Sequence, residues 1–273
     1  MALDAARSET STKATCKNMG LAMPELNIRT EGRIRVVTIS NEKKRNAFEG
    51  SMAADLLRSL DDADNDNDIR AIVITGEGDI AFSSGHDLNE IASGAHAATG
   101  IGEAPFLRPL TMSKPVIAAV NGHCYAAALI LAISCDLRVA SRNATFGSPG
   151  ARLGMLPEGG QLGRMPRLMS SARALELMLT AEPMSAEDAY RTNFVSRLVP
   201  NGEALNVAMM LAEAIAKNSP SVVAAIKTGY MIGQSEGIAA AESFEQKTAR
   251  RLEREADAHE GVAAFFDKRA PNF

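Results

Sequence analysis

The chain has 273 residues, of which 46% are hydrophobic and 23% are charged, values typical of a globular protein that buries a sizeable core. Its formal net charge is −4 and no cluster of lysine and arginine stands out, so no basic field favours a nucleic acid partner. Tryptophan is absent and aromatic residues make up 4% of the chain, which argues against base stacking and against an aromatic sugar-binding platform.

The sequence predicts neither a membrane span nor a disulfide framework. The longest apolar run, Ala126 to Ile133, is far too short to cross a bilayer. The cysteine and histidine residues lack the spacing of a disulfide framework or of a metal site. They are Cys16, Cys124, Cys135, His86, His96, His123 and His259. We therefore expect no metal, no membrane partner and a cytoplasmic location.

Residues 1–23 differ in composition from the rest of the chain. They are rich in Ser, Thr, Ala and Lys and contain no apolar core of signal-peptide length. We expect them to form a flexible extension. A true start at Met23 is one alternative, and a transit peptide is another, although Asp4 and Glu9 disfavour it.

The first half of the chain alternates strands and helices. Two extended runs, Leu26–Thr30 and Ile34–Ile39, predict a β-hairpin that turns at Glu31-Gly32. Residues 50–64 predict a helix with one apolar face. Three nearly continuous apolar strands follow, with helical segments between them, and these predict a parallel sheet covered on both faces. The three strands are Ile69–Thr75, Val116–Val120 and Leu137–Ala140.

After about residue 158 the pattern becomes mostly helical, and only Val195–Val199 predicts a strand. The predicted helices are Ala172–Leu179, Ala186–Tyr190, Glu203–Lys217, Val222–Met231 and Glu236–Glu255. We therefore expect an α/β core over residues 24–205 and a helical region over residues 206–273. Ser93 to Pro109 contains three Gly and two Pro and predicts a long mobile loop, and loops of that length are usually functional or disordered.

Two tight turns carry the first functional signal. In Ala81–Leu88, small residues followed by Gly85 let the backbone turn sharply and present N–H groups to a ligand. The alternative is an ordinary strand-to-helix turn in which Asp87 caps the helix. In Lys114–His123 a strand ends at Asn-Gly, and a helix of small residues starts shortly afterwards, at residues 126–128. Helix N-termini favour negative charge. The exposed N–H groups of the two turns would therefore bind a negatively charged oxygen if the turns converge on one place.

Five separated strings resemble the enoyl-CoA hydratase/isomerase superfamily, also called the crotonase superfamily. They occur in the family's order, and the resemblance covers roughly residues 25 to 273. The strings are Glu42–Ala47 (the first CoA-contacting loop), Ala81–Leu88 and Lys114–Asp136 (the two oxyanion segments), Ala144–Pro149 (before the catalytic loop) and Ala263–Lys268 with Pro271-Asn272-Phe273 (the C-terminal signature).

The resemblance implies a crotonase-like (ClpP/crotonase) α/β fold, built of repeated ββα units with a helical C-terminal trimerisation region. It implies an enzyme of fatty acid metabolism whose small-molecule substrate is an acyl-CoA or enoyl-CoA thioester. No cofactor is implied beyond the coenzyme A that the substrate itself carries. The expected assembly is a homotrimer or a dimer of trimers.

The resemblance also assigns roles to individual residues. It makes the backbone N–H groups of Ser84 and Ala127 an oxyanion hole, which would bind the thioester oxygen as that atom gains enolate charge. Losing one such donor typically costs about 10²–10³ in rate. Lys44 would lie along the coenzyme A, with Phe265 and Lys268 near its nucleotide end. Ala127 stands where the family usually has glycine.

Two departures from the family pattern bear on the chemistry. Hydratases of the family hold and activate water with two glutamates, and the motifs place Ile130 and Gly150 at those positions. Neither side chain donates or accepts a proton. General acid–base catalysis is worth about 10²–10⁴ in rate, so their loss should nearly abolish ordinary hydration.

Glu158 is the candidate general base. Several isomerases of the superfamily carry their catalytic carboxylate at this position, in a Gly-x-x-x-Glu-Gly string like the one at residues 154–159. One carboxylate suffices for a Δ3,Δ2-enoyl-CoA isomerase, because a proton leaves C2 and returns at C4 without any water. The alternative is that Pro157 starts a helix and that Glu158 is a first-turn acid that interacts with the helix dipole.

Other polar residues are candidates for the pocket. His86 follows Gly85 and would either orient the turn or act directly. His123 and Tyr125 follow the second turn and would either line the pocket or pack structurally. Two further functions stay open: another thioester chemistry (hydrolysis or weak hydration) with His86 or an unassigned group acting, and a non-catalytic acyl-CoA binder.

Overall fold

The structure is a computed structural model that describes residues 24–94 and 100–273. The predictions made for residues 1–23 and for His96 lie outside the described residues.

The central element is a six-stranded sheet, whose strands in spatial order are β1 (Glu25–Glu31), β2 (Ile34–Ser40), β3 (Ala71–Gly76), β5 (Val116–Val120), β7 (Leu137–Ser141) and β10 (Arg197–Val199). Its first two strands form the predicted antiparallel hairpin, and the remaining neighbours pair in parallel. Every residue of β3 and β5 is buried, as the continuous apolar runs predicted.

A second sheet of four short strands was not predicted from the sequence. Its order is β4-β6-β8-β9, and its first three strands are parallel. The strands are β4 (Ala81–Ser83), β6 (His123–Tyr125), β8 (Thr145–Gly147) and β9 (Met184–Ser185). With two or three residues each, these strands are too short to show an alternating pattern.

Each long strand β3, β5 and β7 leads directly into a short strand of the second sheet, so the ββα repeat is present. The links are tight, because a Cβ atom on Gly122 would collide with the Ile80 carbonyl group. The side chain of Asn121 holds two of these links together. Its Oδ1 accepts a hydrogen bond from the Gly76 N–H at 3.1 Å, and its Nδ2 donates to the Gly78 carbonyl oxygen at 2.6 Å.

The helices follow the predicted order, but the helix at Gln161–Leu168 was not predicted, and three further features differ from the predictions. The helices are α1 (Met52–Asn65), α2 (Leu88–Ala92), α3 (Ala104–Leu107), α4 (Ala127–Ser134), α5 (Gln161–Leu168), α6 (Ser171–Thr180), α7 (Ala186–Arg191), α8 (Ala204–Ala216), α9 (Pro220–Ser235), α10 (Ile238–Leu252) and α11 (Ala256–Asp267). Short 3₁₀ helices lie at Glu42–Lys44, Arg108–Thr111 and Pro149–Leu153.

The first difference corrects the predicted loop at Ser93–Pro109. Its second half contains α3, whose Phe106 is fully buried, so this part of the segment belongs to the core. Second, residues 256–267 form a further helix, α11, beyond the end of the predicted helix Glu236–Glu255. Third, a domain boundary at residue 205 would divide α8, whose small face at Ala204, Ala208 and Ala212 packs on β3, β5 and β7. Helix α8 therefore belongs to the α/β core.

The C-terminal helices are attached to the core through a buried ion pair. Lys227 of α9 is 7% exposed, and its Nζ lies 2.8 Å from Asp136 Oδ2. The same carboxylate oxygen accepts the N–H of Val116 at 2.7 Å, and Nζ also donates to the Lys114 carbonyl oxygen at 2.9 Å. Asp136 therefore anchors its turn and joins α9 to the start of β5. In residues 24–94 and 100–273, no helix is long and apolar enough to cross a membrane.

Removing the carboxylate of this pair should destabilise the protein. In Asp136→Ala the charge of Lys227 stays buried without its partner, and breaking a buried pair in this way typically costs about 3–5 kcal/mol. Because Asp136 keeps 26% of its side chain exposed, we expect a value near the lower end of that range. Urea unfolding of wild type and variant measures the change in the free energy of unfolding.

The control is Glu182→Ala, which breaks the exposed Arg152–Glu182 pair, in which the two side chains are 58% and 72% exposed. Exposed pairs contribute about 0–1 kcal/mol. A loss for Asp136→Ala no larger than that of the control would contradict the anchoring role.

Candidate active site

The two predicted turns meet at Gly85. This residue has φ +91°, and a Cβ atom built on it would lie 2.9 Å from Ala126 Cβ and 3.0 Å from the Ala127 nitrogen. Only glycine allows both this conformation and this approach without strain. The end of the first strand-to-helix unit is therefore placed against the start of helix α4, as the sequence predicted.

The Ala127 N–H is well placed for an oxyanion. Ala127 is the first residue of α4, so its N–H has no acceptor within the helix, and the helix dipole favours negative charge there. The preceding Ala126 has φ +52° and ψ −121°, a conformation that L-residues seldom adopt. Strain of this kind clusters at functional sites.

The structure does not support the Ser84 N–H as the second donor. This N–H already donates to the Arg45 carbonyl oxygen at 3.0 Å, and the Ser84 hydroxyl donates to the Lys44 carbonyl oxygen. His86, two residues later, is oriented differently. Phe48 N–H donates to the Gly85 carbonyl oxygen and Asp87 N–H donates to the Phe48 carbonyl oxygen, the pattern of a parallel bridge between Phe48 and His86. The backbone N–H of His86 therefore points away from the Phe48 segment.

Glu158 lies on an exposed loop that packs against Ile130. The neighbouring Gly159 has φ +64°, and a Cβ atom built on it would lie 2.5 Å from Ile130 Cδ1. Ile130 is 3% exposed, so this glycine covers its side chain. Glu158 is thus the sequence neighbour of the glycine that packs on Ile130, the position where the family's first glutamate is expected.

The first-turn interpretation of Glu158 and Pro157 is wrong. Helix α5 begins at Gln161 with Gly160 as its N-cap, so both residues precede the helix. The Glu158 carbonyl oxygen accepts hydrogen bonds from the Gln161 N–H at 3.3 Å and from Gln161 Nε2 at 3.2 Å. These bonds fix the backbone of Glu158, and its side chain is exposed.

The same loop covers Gly150, the second position at which hydratases of the family carry a glutamate. A Cβ atom built on Gly150 would lie 2.7 Å from the Met155 carbonyl oxygen and 3.4 Å from the Pro157 ring. The Met155 N–H donates to the Gly150 carbonyl oxygen at 2.8 Å. The structure therefore brings Ile130, Gly150 and the Glu158 loop together, and the loop backbone fills the space into which a side chain at position 150 would project.

His123 and Tyr125 form a network on the second sheet. Thr145 Oγ1 bonds His123 Nδ1 at 2.8 Å and the Tyr125 hydroxyl at 2.9 Å. Burial lowers the pKa of His123, and the charge of Arg45 lowers it further. These contacts join β6 to β8. Both residues therefore have the structural packing role that was the alternative to lining the pocket.

His86 faces a carboxylate that the sequence analysis did not single out. Its Nε2 lies 3.7 Å from Glu103 Oε1, and its ring packs edge-on against Phe106, with centroids 5.0 Å apart. Phe106 also packs edge-on against Phe48, with centroids 4.9 Å apart. Glu103 lies in the segment predicted as a loop, where no local pattern links it to His86.

The predicted CoA-binding residues Lys44, Phe265 and Lys268 are exposed. Among the described residues, no contact joins Lys44 to the C-terminal pair Phe265 and Lys268. Lys44 Nζ lies 2.5 Å from Asp87 Oδ2 and 2.9 Å from Glu49 Oε2. The hydrogen bond from Lys44 holds the pKa of Asp87 below its usual value, and Asp87 also caps α2 as predicted. Phe265 is 79% exposed on α11, and Lys268 ends that helix with φ +53°.

The contact between Gly159 and Ile130 can be tested with a double-mutant cycle. Gly159→Ala should cost about 1–3 kcal/mol of stability through overpacking, and Ile130→Ala about 2–5 kcal/mol through a cavity. The cost of Gly159→Ala should fall when Ile130 is already Ala, with a coupling of roughly 0.5–3 kcal/mol. Urea unfolding of the four proteins measures it. Additivity to within about 0.5 kcal/mol would show that the two residues are not in contact.

Comparison with known proteins agrees with this geometry. The family model described as Enoyl-CoA hydratase/isomerase matches residues 29–273. A 2,3-dehydroadipyl-CoA hydratase of Escherichia coli is 34% identical, over 92% of this chain and 99% of the relative. A short-chain-enoyl-CoA hydratase of Clostridium acetobutylicum is 32% identical, over 88% and 93%.

Solved structures show the same fold. An enoyl-CoA hydratase from Bacillus anthracis superposes with a TM-score of 0.87 at 26% identity, over 91% of this chain and 98% of that chain. An enoyl-CoA hydratase from Mycobacterium tuberculosis superposes with a TM-score of 0.85 at 33% identity, over 92% and 98%. The fold is thus the crotonase fold, and the chain belongs to the enoyl-CoA hydratase/isomerase family of acyl-CoA thioester enzymes.

Proposed function

We propose that this enzyme catalyses a 1,3-proton shift that converts a 3-enoyl-CoA into a 2-enoyl-CoA, with Glu158 as its acid and base. The observation that carries the proposal is the packing of Gly159 on Ile130, which brings the Glu158 loop to the place of the missing carboxylates. The carboxylate belongs to an exposed side chain, as a group that must reach a bound substrate requires.

The oxyanion hole in this proposal consists of the backbone N–H groups of Ala127 and His86. Ala127 supplies the first N–H of helix α4, and His86 replaces Ser84 because the Ser84 N–H is bonded to Arg45. The close approach of Gly85 to Ala127 places the two peptide segments side by side. Donors held in this way stabilise the charge that develops on the thioester oxygen.

The proposed reaction needs no water. Glu158 removes a proton from C2 of the 3-enoyl thioester, and the electrons of that C–H bond delocalise onto the thioester oxygen as a dienolate. The protonated Glu158 then returns the proton at C4, and the double bond ends between C2 and C3. Ile130 and the covered Gly150 leave no carboxylate at the two positions where a hydratase would hold its water.

The relatives named above are hydratases, so the isomerase assignment rests on the residues of this chain. We also propose, from the resemblance, that Lys44, Phe265 and Lys268 bind coenzyme A and that the C-terminal helices mediate a homotrimer. Exposed apolar side chains on α11 support that surface: Val262 is 60% exposed and Phe266 is 76% exposed.

Glu158→Gln should abolish the isomerisation while leaving substrate binding intact. The amide keeps the size of the side chain but cannot accept the proton, and general acid–base catalysis is worth about 10²–10⁴ in rate. The measurement is the conversion of a 3-enoyl-CoA, together with solvent deuterium uptake at C2 and C4. Binding of a saturated acyl-CoA should change little.

Glu213→Gln is the matched control, because Glu213 is exposed on α8, on the other face of the six-stranded sheet. Full activity of Glu158→Gln would refute Glu158 as the base. A wild-type protein that binds acyl-CoA tightly but exchanges no deuterium would instead be a non-catalytic binder.

A further inference from the structure

A cavity of about 300 Å³ lies at the end of the six-stranded sheet where β3 and β5 begin. Arg70 directly precedes β3 and Pro115 directly precedes β5, and both residues line the cavity. The oxyanion turns follow the other ends of these strands, and a strand of six residues such as β3 spans about 20 Å. The cavity is therefore separate from the candidate active site, and its volume is at the lower end of the range for small-molecule sites.

The cavity, which we call the α9 pocket, is built where the C-terminal helices join the core. The end of α1, the segments before β3 and β5, the end of α8 and the start of α9 form its wall. Beside it, Lys227 of α9 donates to the carbonyl oxygen of Lys114 at 2.9 Å. The charged and polar residues of the wall include Asp64, Arg70, Ser113, Lys114, Asn218 and Ser221.

Two cationic side chains of the wall have no carboxylate partner. Neither Arg70 nor Lys114 forms an ion pair with any residue that the structure describes. Lys114 Nζ donates to the carbonyl oxygens of Ala63, at 2.7 Å, and Asp66, which leaves one of its three N–H groups free. Arg70 Nε is buried without a hydrogen-bond partner among the same residues, and Nη2 makes only a long contact of 3.5 Å with the Phe273 carbonyl oxygen.

The acid in the wall does not compensate these charges. Asp64 is bonded through one oxygen to Arg108 at 2.9 Å and through the other to the Ser113 hydroxyl at 2.8 Å. Burial lowers the pKa of Lys114, and the charge of Arg70 lowers it further, although the neighbouring acids act in the other direction. Desolvated cations without a partner are costly, so an anion in the pocket would relieve both side chains.

The rest of the wall favours an anion with several acceptor oxygens. Helix α9 begins at Pro220, and a helix N-terminus favours negative charge. The Ser221 hydroxyl and the Asn218 amide add uncharged donors. A lysine, an arginine and a helix N-terminus together match a phosphate group in charge and in number of acceptors.

We propose that the α9 pocket binds a small phosphate-bearing anion, either inorganic phosphate or the phosphate group of a small phosphorylated metabolite. Arg70 and Lys114 bind the phosphate oxygens, and the start of α9 completes the site. Because the wall combines core strands with α8 and α9, the bound anion stabilises the junction between the core and the C-terminal helices. The site is independent of the proposed function, since it uses no residue assigned to isomerisation or to coenzyme A binding.

Isothermal titration calorimetry with inorganic phosphate and with glycerol 3-phosphate tests the proposal, with glycerol as the uncharged control. The proteins are wild type, Arg70→Gln, Asn218→Asp and Asn206→Asp. Asn218→Asp places a negative charge at an exposed position of the wall without changing the size of the side chain. Asn206→Asp makes the same change at an exposed position near the other end of α8, outside the pocket. Urea unfolding without ligand reports an intact fold.

Wild type should bind at least one of the two phosphates and should not bind glycerol. Arg70→Gln should weaken this binding about 10–10²-fold, because it removes a charge-assisted hydrogen bond. Asn218→Asp should weaken it about tenfold or more through like-charge repulsion. Asn206→Asp should leave it within about twofold, because solvent screens a charge so far away. Tighter binding of glycerol 3-phosphate than of phosphate identifies an organic phosphate as the ligand, and the reverse order identifies inorganic phosphate.

Three results would overturn the proposal. One is a wild-type protein that binds neither phosphate at millimolar concentration. Another is a folded Arg70→Gln protein that binds both phosphates as tightly as wild type. The third is an Arg70→Gln protein whose affinity for butyryl-CoA falls as far as its affinity for phosphate, since the cations would then belong to the coenzyme A site. If Arg70→Gln does not fold, Asn218→Asp and Asn206→Asp decide, because equal phosphate binding by these two proteins would refute the site.

Discussion

The close approach of Gly85 to the start of helix α4 is the constraint on which the rest of the site depends. A Cβ atom on Gly85 would collide with Ala126, so this turn can form only because glycine occupies the position. The second sheet imposes the approach, because β4 and β6 pair in parallel and each delivers its chain to the same edge. Two backbone amides from separate ββα units thereby come to one place.

Glycine residues also determine the packing around Ile130. The positive φ of Gly159 and its missing Cβ let the 155–159 loop lie directly on Ile130, and the carbonyl oxygen of Met155 covers Gly150. A side chain at position 150 would displace this loop, because its Cβ would lie 2.7 Å from the Met155 carbonyl oxygen. The absence of a carboxylate at position 150 and the conformation of the Glu158 loop are therefore one structural feature.

The sequence was sufficient for the large elements and for the family, and insufficient where contacts are made through space. The hairpin, the buried strand Val116–Val120 and helix α9 were predicted because each is long enough to show its pattern. The short strands of the second sheet carry no such pattern. The resemblance assigned the oxyanion donor to Ser84, and sequence alone cannot show that this amide is bonded internally to Arg45. Glu103 was missed because only the tertiary fold brings it to His86.

The chemistry of such a site is decided by where water can be held. A carboxylate pair that clamps water favours addition to C3, whereas an apolar residue and a backbone carbonyl group at the same two positions favour proton transfer alone. Ile130 is buried and position 150 is filled by the loop, so neither position offers a carboxylate that could hold a water molecule.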